Sequence, residues 1–157
     1  MLIESVDALP ALVGTKLPPS AWIDVTQARV DAFAAATDDA QWIHCDPEHA
    51  KASPYGSTIA HGFLTLSLIP SLWRDVVTIG NLRMTVNLGL ERLRFPAPLP
   101  IPSRIRAHFT ITAATRQPDY VRTLISTTVE RENADEPVCV ASLILLHYAV
   151  GSDGIHA

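Results

Sequence analysis

Between residues 37 and 47 the chain reads TDDAQWIHCDP, which crowds Asp38, Asp39, His44 and Asp46 around a Trp-Ile pair. Aspartate and histidine are poor strand formers and only fair helix formers. Three uses for such a loop are open. Its acids can cap helices, it can hold a metal ion, or it can do acid–base chemistry. For metal, His44-x-Asp46-x-x-His49 supplies two imidazoles and a carboxylate, a donor set the spacing meets only loosely. Asp46-Pro47-Glu48 also reads as a helix start, with aspartate as N-cap, proline in the first turn and glutamate complementing the dipole. For acid–base work, Asp39 and His44 are separated by four residues in sequence. A carboxylate and an imidazole held together can activate one water, one group removing a proton while the other donates or orients. The plainer role for Asp39 is a loop residue that bonds backbone amides.

A second constellation is His61-Gly62, at the opening of an apolar run. An amide at a helix N-terminus, beside a glycine that admits a ligand closely, suits a developing oxyanion. The plainer role for Gly62 is tight packing. Beside Asp39 and His44 it would complete a set of base, acid and oxyanion donor. Cys45 adjoins His44, but adjacency does not make a Cys–His dyad, and it reads as a packed thiol.

The elements that must position these groups fall into two halves. Ala21 to Val25 predicts a short strand, and Asp24 or Thr26 then caps a helix over Gln27 to Ala36 with Val30, Phe33 and Ala34 on its apolar face. A short helix starts at the Asp46 cap and breaks at Ser53-Pro54-Tyr55-Gly56-Ser57. Ile59 to Trp73, IAHGFLTLSLIPSLW, is apolar all round and predicts a helix buried on every side, with Pro70 kinking its end. After Gly80 the rhythm becomes period two. Met84 to Phe95 predicts a strand that ends in FPAPLPIP. Ile105, Ala107, Phe109 and Ile111 alternate with polar residues, as in a half-buried strand. Gln117-Pro118-Asp119 turns into a strand over Tyr120 to Glu130. Asn133 to Glu136 turns into Val138 to Val150, apolar on both faces and therefore interior. Short turns between such strands make an antiparallel meander. One buried helix wrapped by a curved antiparallel sheet is an α+β hot-dog arrangement, in a single domain over residues 1–157.

Composition limits the partners. Apolar residues make up 48% and charged residues 18%, with a net charge of −4 and no basic stripe, so nucleic acid and anionic membrane are poor partners. Ten arginines are spread along the chain and leave room for a phosphorylated small ligand. The two cysteines, Cys45 and Cys139, form neither a disulfide framework nor a zinc pattern. The apolar run is too short to span a bilayer, and Met1 to Leu12 carries Glu4 and Asp7 with no basic start, unlike a signal peptide. The expectation is a soluble cytoplasmic protein.

The stretch FAAATDDAQWIHCDPEHAKASPYGSTIAHGFLTLSL, Phe33 to Leu68, resembles the hydratase motif of MaoC-like dehydratases, the (R)-specific enoyl-CoA hydratases. It is most similar to the nodulation-protein-N-like branch, which has Gln-Trp-Ile-His where other members have Asn-Pro-Leu-His. NLGLERLRFPAPLPIPSRIRA, Asn87 to Ala107, resembles that branch too, and the likeness runs from about Val25 to Tyr148. The resemblance implies a hot-dog fold, usually a homodimer, and reversible hydration of trans-2-enoyl thioesters carried on CoA or acyl carrier protein. It implies no cofactor and no metal. It assigns the catalytic aspartate to Asp39, the catalytic histidine to His44 and the carbonyl-binding amide to Gly62, with His61 beside it.

Two positions depart from the family. Asp38 replaces the usual glycine, and Pro70 stands where some members have a serine that supports the aspartate. Ser67 or Ser71 is then the substitute, with Gln41 to orient water or Asp39. The apolar helix would line a channel for the acyl chain, and Arg92, Arg94 or Arg104 would meet CoA phosphates. A hot-dog thioesterase, with water aimed at the carbonyl carbon, and a non-catalytic acyl-binding subunit are the competing readings. The presence of both Asp39 and His44 favours hydration.

Overall fold

The period-two alternation in the second half produces long strands because each can bury one face on a common helix. The computed structural model of the chain describes residues 1–151; residues 152–157 of the expected domain lie outside the described residues. β1 (Leu2–Ile3), a 3-10 helix (Val6–Leu12) and β2 (Ile23–Val25) precede α1 (Gln27–Thr37), α2 (Trp42–Cys45), α3 (Pro47–Ala50) and α4 (Gly62–Val76). β3 (Thr78–Ile79), β4 (Leu82–Arg94), β5 (Ser103–Arg116), β6 (Tyr120–Arg131) and β7 (Pro137–Ala149) follow. The main sheet runs β2-β5-β6-β7-β4, antiparallel throughout. α4 packs on β5 and β7, and the sheet curls about it through register shifts in β4, β5 and β6. This is the hot-dog architecture. Among the described residues no helix is long and apolar enough to cross a membrane.

Local chemistry explains the boundaries. Thr26, not Asp24, caps α1, its hydroxyl accepting from the Arg29 amide. Asp46 caps α3 by accepting from the His49 amide at 2.9 Å, with Pro47 in the first position. Gly80 is obligatory for another reason: β1 and β3 pair so closely there that a Cβ would stand 2.1 Å from the Glu4 carbonyl oxygen. β7 is an interior strand, between β6 and β4, with Ala141, Leu143 and Leu145 buried on one face and Val140, Ser142 and Ile144 half-buried on the other.

α4 departs from expectation in two ways. It begins at Gly62 and continues through Pro70 to Val76, so the proline lies inside the helix and not at its end. Nor is it buried on every side. Leu64, Thr65, Ile69, Leu72, Trp73 and Val76 face the core, while Phe63, Ser67, Pro70, Ser71 and Arg74 face outward. An exposed stripe at this spacing tolerates proline and serine, because there the proline ring meets solvent and the hydroxyls bond back to their own helix.

The concave sheet face carries one buried histidine. His147 on β7 is fully buried, its Nδ1 3.0 Å from the Thr85 hydroxyl and its Nε2 3.0 Å from the Thr123 hydroxyl. Burial lowers its pKa from 6.5 to about 4. The unfolded chain therefore takes up a proton in this window that the folded chain refuses. Stability attributable to His147 is complete above pH 6.5 and is lost as pH falls toward about 4, by roughly 3 kcal/mol in full. The midpoint of urea unfolding should fall across that window in the wild type and fall less in His147→Gln; equal falls would count against this role.

Candidate active site

The loop after α1 exists because Asp38 ends the helix in the left-handed conformation, φ 57° and ψ 20°. Glycine fits that position best, and aspartate tolerates it better than most residues. Asp38 thus does the helix-stopping work of the glycine it replaces, with its side chain in solvent. Asp39 follows, its side chain 47% exposed.

His44 reaches the same place from α2. Its Nδ1–H donates to the Ile59 carbonyl at 2.7 Å, which leaves Nε2 as a bare acceptor. His61, the residue before α4, donates from Nε2–H to the Asp39 carbonyl at 2.8 Å, and the same atom lies 3.9 Å from Asp39 Oδ2. The two imidazoles stack at 3.8 Å, and the Phe33 ring packs against His61 at 5.0 Å. One donor atom each from Asp39, His44 and His61 lie within 4.8 Å of one another. Burial lowers the His44 pKa below 6.5; His61 adds to the lowering, and the Ile59 carbonyl and Asp39 oppose it. His44 is therefore a neutral base at neutral pH.

Gly62 opens α4 beside these rings. The first amides of a helix have no partner within it, so Gly62 N–H is available to an acceptor. The Phe95 ring lies over Gly62 so closely that a Cβ there would stand 2.7 Å from it. A cleft of about 300 Å³ joins His44 to Gly62 and is lined also by Thr65, Phe95 and Leu99 among others. Its wall is built by pairing the 58–60 segment with FPAPLPIP: Ala60 N–H donates to Leu99 O, and Ile101 N–H to Thr58 O. A second cavity, of about 270 Å³, follows along α4, lined by Ile69, Trp73, Phe109, Ile125, Leu143 and Leu145 among others.

The structure thus brings together Asp39, His44, His61 and Gly62. It does not bring in Ser67, which is exposed and donates to the Phe63 carbonyl at 2.7 Å, nor Ser71, which donates to the Leu68 carbonyl. Gln41 contributes its backbone carbonyl to the His44 and Cys45 amides, while its side chain is exposed. The alternative metal set does not assemble either. Asp46 is occupied as a cap, and His49 stacks on Trp42 at 4.1 Å. Asp39, His44 and His61 lie close enough together to hold a cation, with His44 Nδ1 and His61 Nε2 already engaged by the Ile59 and Asp39 carbonyls. Arg104 is engaged by Asp24 and Glu132. Arg92 and Arg94 are exposed on β4, Arg94 immediately before Phe95.

One contributor was missed from sequence. Gln27 donates to the His44 carbonyl and to Asp31, each at 2.7 Å, and accepts from the Thr58 hydroxyl at 2.6 Å. It joins α1, α2 and the 58–60 segment. Its only sequence signal was a polar residue in the first turn of a helix, which is unremarkable.

Residues 9–133 match the MaoC like domain. The chain is 45% identical over 147 residues to 3-hydroxyacyl-thioester dehydratase Z of Mycobacterium tuberculosis, covering 93% of this chain and 97% of that one. It is 40% identical over 145 residues to nodulation protein N of Rhizobium leguminosarum, covering 90% of each. Among solved structures it superposes on a MaoC-like dehydratase from Rhodospirillum rubrum with a TM-score of 0.68 at 25% identity, covering 87% of this chain and 92% of that one. With matches over this much of its length, the chain belongs to the MaoC-like dehydratase family and is a hydro-lyase.

Proposed function

We propose that this protein interconverts trans-2-enoyl and (R)-3-hydroxyacyl thioesters, with Asp39 and His44 as the catalytic pair and Gly62 N–H as the carbonyl donor. The observation that carries this reading is that Asp39 and His44 bring a carboxylate oxygen and a ring nitrogen within 4.8 Å of each other, while His44 lines a cleft that Gly62 also lines. One water fits between two such acceptors, with hydrogen bonds of about 2.8 Å to each.

The thioester carbonyl accepts from Gly62 N–H, and the α4 dipole stabilises the enolate charge that develops there. The water oxygen attacks C3 as the pair takes one of its protons. A proton then returns from the pair to C2 on the same face. Dehydration is the reverse, with the same groups in swapped roles. His61 is a positioning residue: its ring holds the Asp39 backbone and packs on His44. The acyl chain runs past Thr65 into the second cavity, and CoA or acyl carrier protein remains outside, on the Phe95 and Arg94 side.

A second copy of the chain completes the protein as a homodimer. β4 is a thirteen-residue edge strand, and its outer edge exposes Leu88 at 46% and Leu90 at 37%. A long apolar edge of this kind associates unless covered. One continuous core supports a single domain, and two free thiols, Cys45 and Cys139, fit a reducing cytoplasm. Sedimentation should give twice the chain mass, and Leu88→Lys with Leu90→Lys should shift it toward monomer; a wild-type monomer would refute the pairing.

Loss of enoyl absorbance on crotonyl-CoA and a longer enoyl-CoA tests the activity. Asp39→Asn and His44→Gln should each lower kcat/KM by about 10² to 10⁴. The acid limb of the wild-type rate should lie below pH 6.5, where His44 takes up its proton. Release of free CoA would indicate a thioesterase instead, and binding without turnover an acyl-binding subunit.

Gly62→Ala keeps the amide but sets a methyl against the Phe95 ring. It should cost about ten- to a hundredfold in kcat/KM with little change in folding, since misplacement near 1 Å suffices. Adding Phe95→Ala should recover part of the loss; no recovery would show that the ring is not the cause.

A further inference from the structure

The second cavity is not uniformly apolar. Thr127 lines it from β6, between Phe109 on β5 and Ala141 on β7 in the sheet register. The residue is fully buried, and its hydroxyl has no hydrogen-bond partner. The other two threonines on this wall of the sheet are treated differently. Thr85 and Thr123 each meet a nitrogen of His147 at 3.0 Å. A buried hydroxyl without a partner is costly, and valine would fill the same shape without that cost. The orphaned group sits on the wall of a cavity, where a ligand can supply what the protein does not.

The cavity also lies on the route from the reactive end. Gly62 and Thr65 line the cleft, and Ile69 and Trp73 line the cavity. These residues follow one face of α4 at helical spacing, so Ile69 lies about 6 Å and Trp73 about 12 Å beyond Thr65 along the axis. β7 accompanies them, with Val138 on the cleft and Leu143 and Leu145 on the cavity.

We infer that the cavity takes an acyl chain bearing an oxygen, as hydroxyl or carbonyl, part-way along its length, and that Thr127 selects for it by hydrogen bonding. A hydroxyl both donates and accepts, so Thr127 serves either kind of oxygen. Apolar neighbours, Phe109, Ile125 and Leu143 among them, hold the methylenes on either side. The inference rests on the proposed passage of an acyl chain from Gly62 into this cavity.

The test pairs a plain trans-2-enoyl-CoA with isomers of equal length in which a keto oxygen is walked along the chain. Each is measured by kcat/KM on wild type, Thr127→Val and Thr127→Ser. For one isomer the wild type should favour the keto substrate over the plain one. Thr127→Val should lower that ratio by about tenfold or more while leaving the plain substrate turned over as before, and Thr127→Ser should retain it. Thr127→Ala replaces the valine variant if that one does not fold. A ratio that is the same in wild type and Thr127→Val at every keto position would overturn the inference. If no enoyl-CoA is turned over, the proposed activity fails separately. Calorimetric binding of the saturated plain and keto acyl-CoA then decides: discrimination by wild type that is lost in Thr127→Val supports the inference, and equal discrimination in both overturns it.

Discussion

The hydrogen bond from the His61 ring to the Asp39 carbonyl holds the proposed active site together. Asp39 lies in an exposed loop just past the end of α1, where the backbone has few partners. Exposed loops move, and a carboxylate that moves cannot share a water with an imidazole. His61 is the N-cap residue of α4, which is anchored along its length in the core. Through one ring the rigidity of the buried helix is lent to the loop. The same ring stacks on His44, so both members of the pair take their position from a single residue.

Backbone carbonyls set the chemical state of both imidazoles. The Ile59 carbonyl accepts from His44 Nδ1–H, and the Asp39 backbone carbonyl accepts from His61 Nε2–H. Each histidine is held in one tautomer by a group that cannot titrate, and burial keeps His44 neutral. The Ile59 carbonyl is in place because its segment is pinned on two sides. Ile59 N–H donates to Ile43 O, and the neighbouring residues pair with Leu99 and Ile101. The proline-rich FPAPLPIP segment is thus a wall of the site, and it also supplies the Phe95 ring over Gly62.

Much of this was legible from residue types. The Asp46-Pro47 cap, the alternation of Ile105 to Ile111 and the turns at residues 117–119 and 133–136 depend on local chemistry alone, and they form as expected. The architecture followed, since one apolar helix and four long alternating strands have few ways to bury their faces. Ser67 was misplaced because an apolar-all-round helix gives no rotation, and only packing decides which stripe turns outward. Gln27 and the Ile59 carbonyl had no signal, because a bond across 15 or 17 residues depends on how three short segments fold back on one another.

The sequence by itself determined the repertoire: a carboxylate and an imidazole in one loop, a glycine at the start of an apolar helix, and strands able to enclose it. Short-range propensity, capping and periodicity act between neighbours, so they can be read without coordinates. Tertiary structure decided what meets what. It brought His61 rather than His49 to Asp39 and His44, made Asp38 a left-handed helix stop, and left the buried Thr127 hydroxyl without a partner while His147 took up those of Thr85 and Thr123. Such pairings depend on side-chain direction and burial across distant segments, which only the closed sheet around α4 fixes.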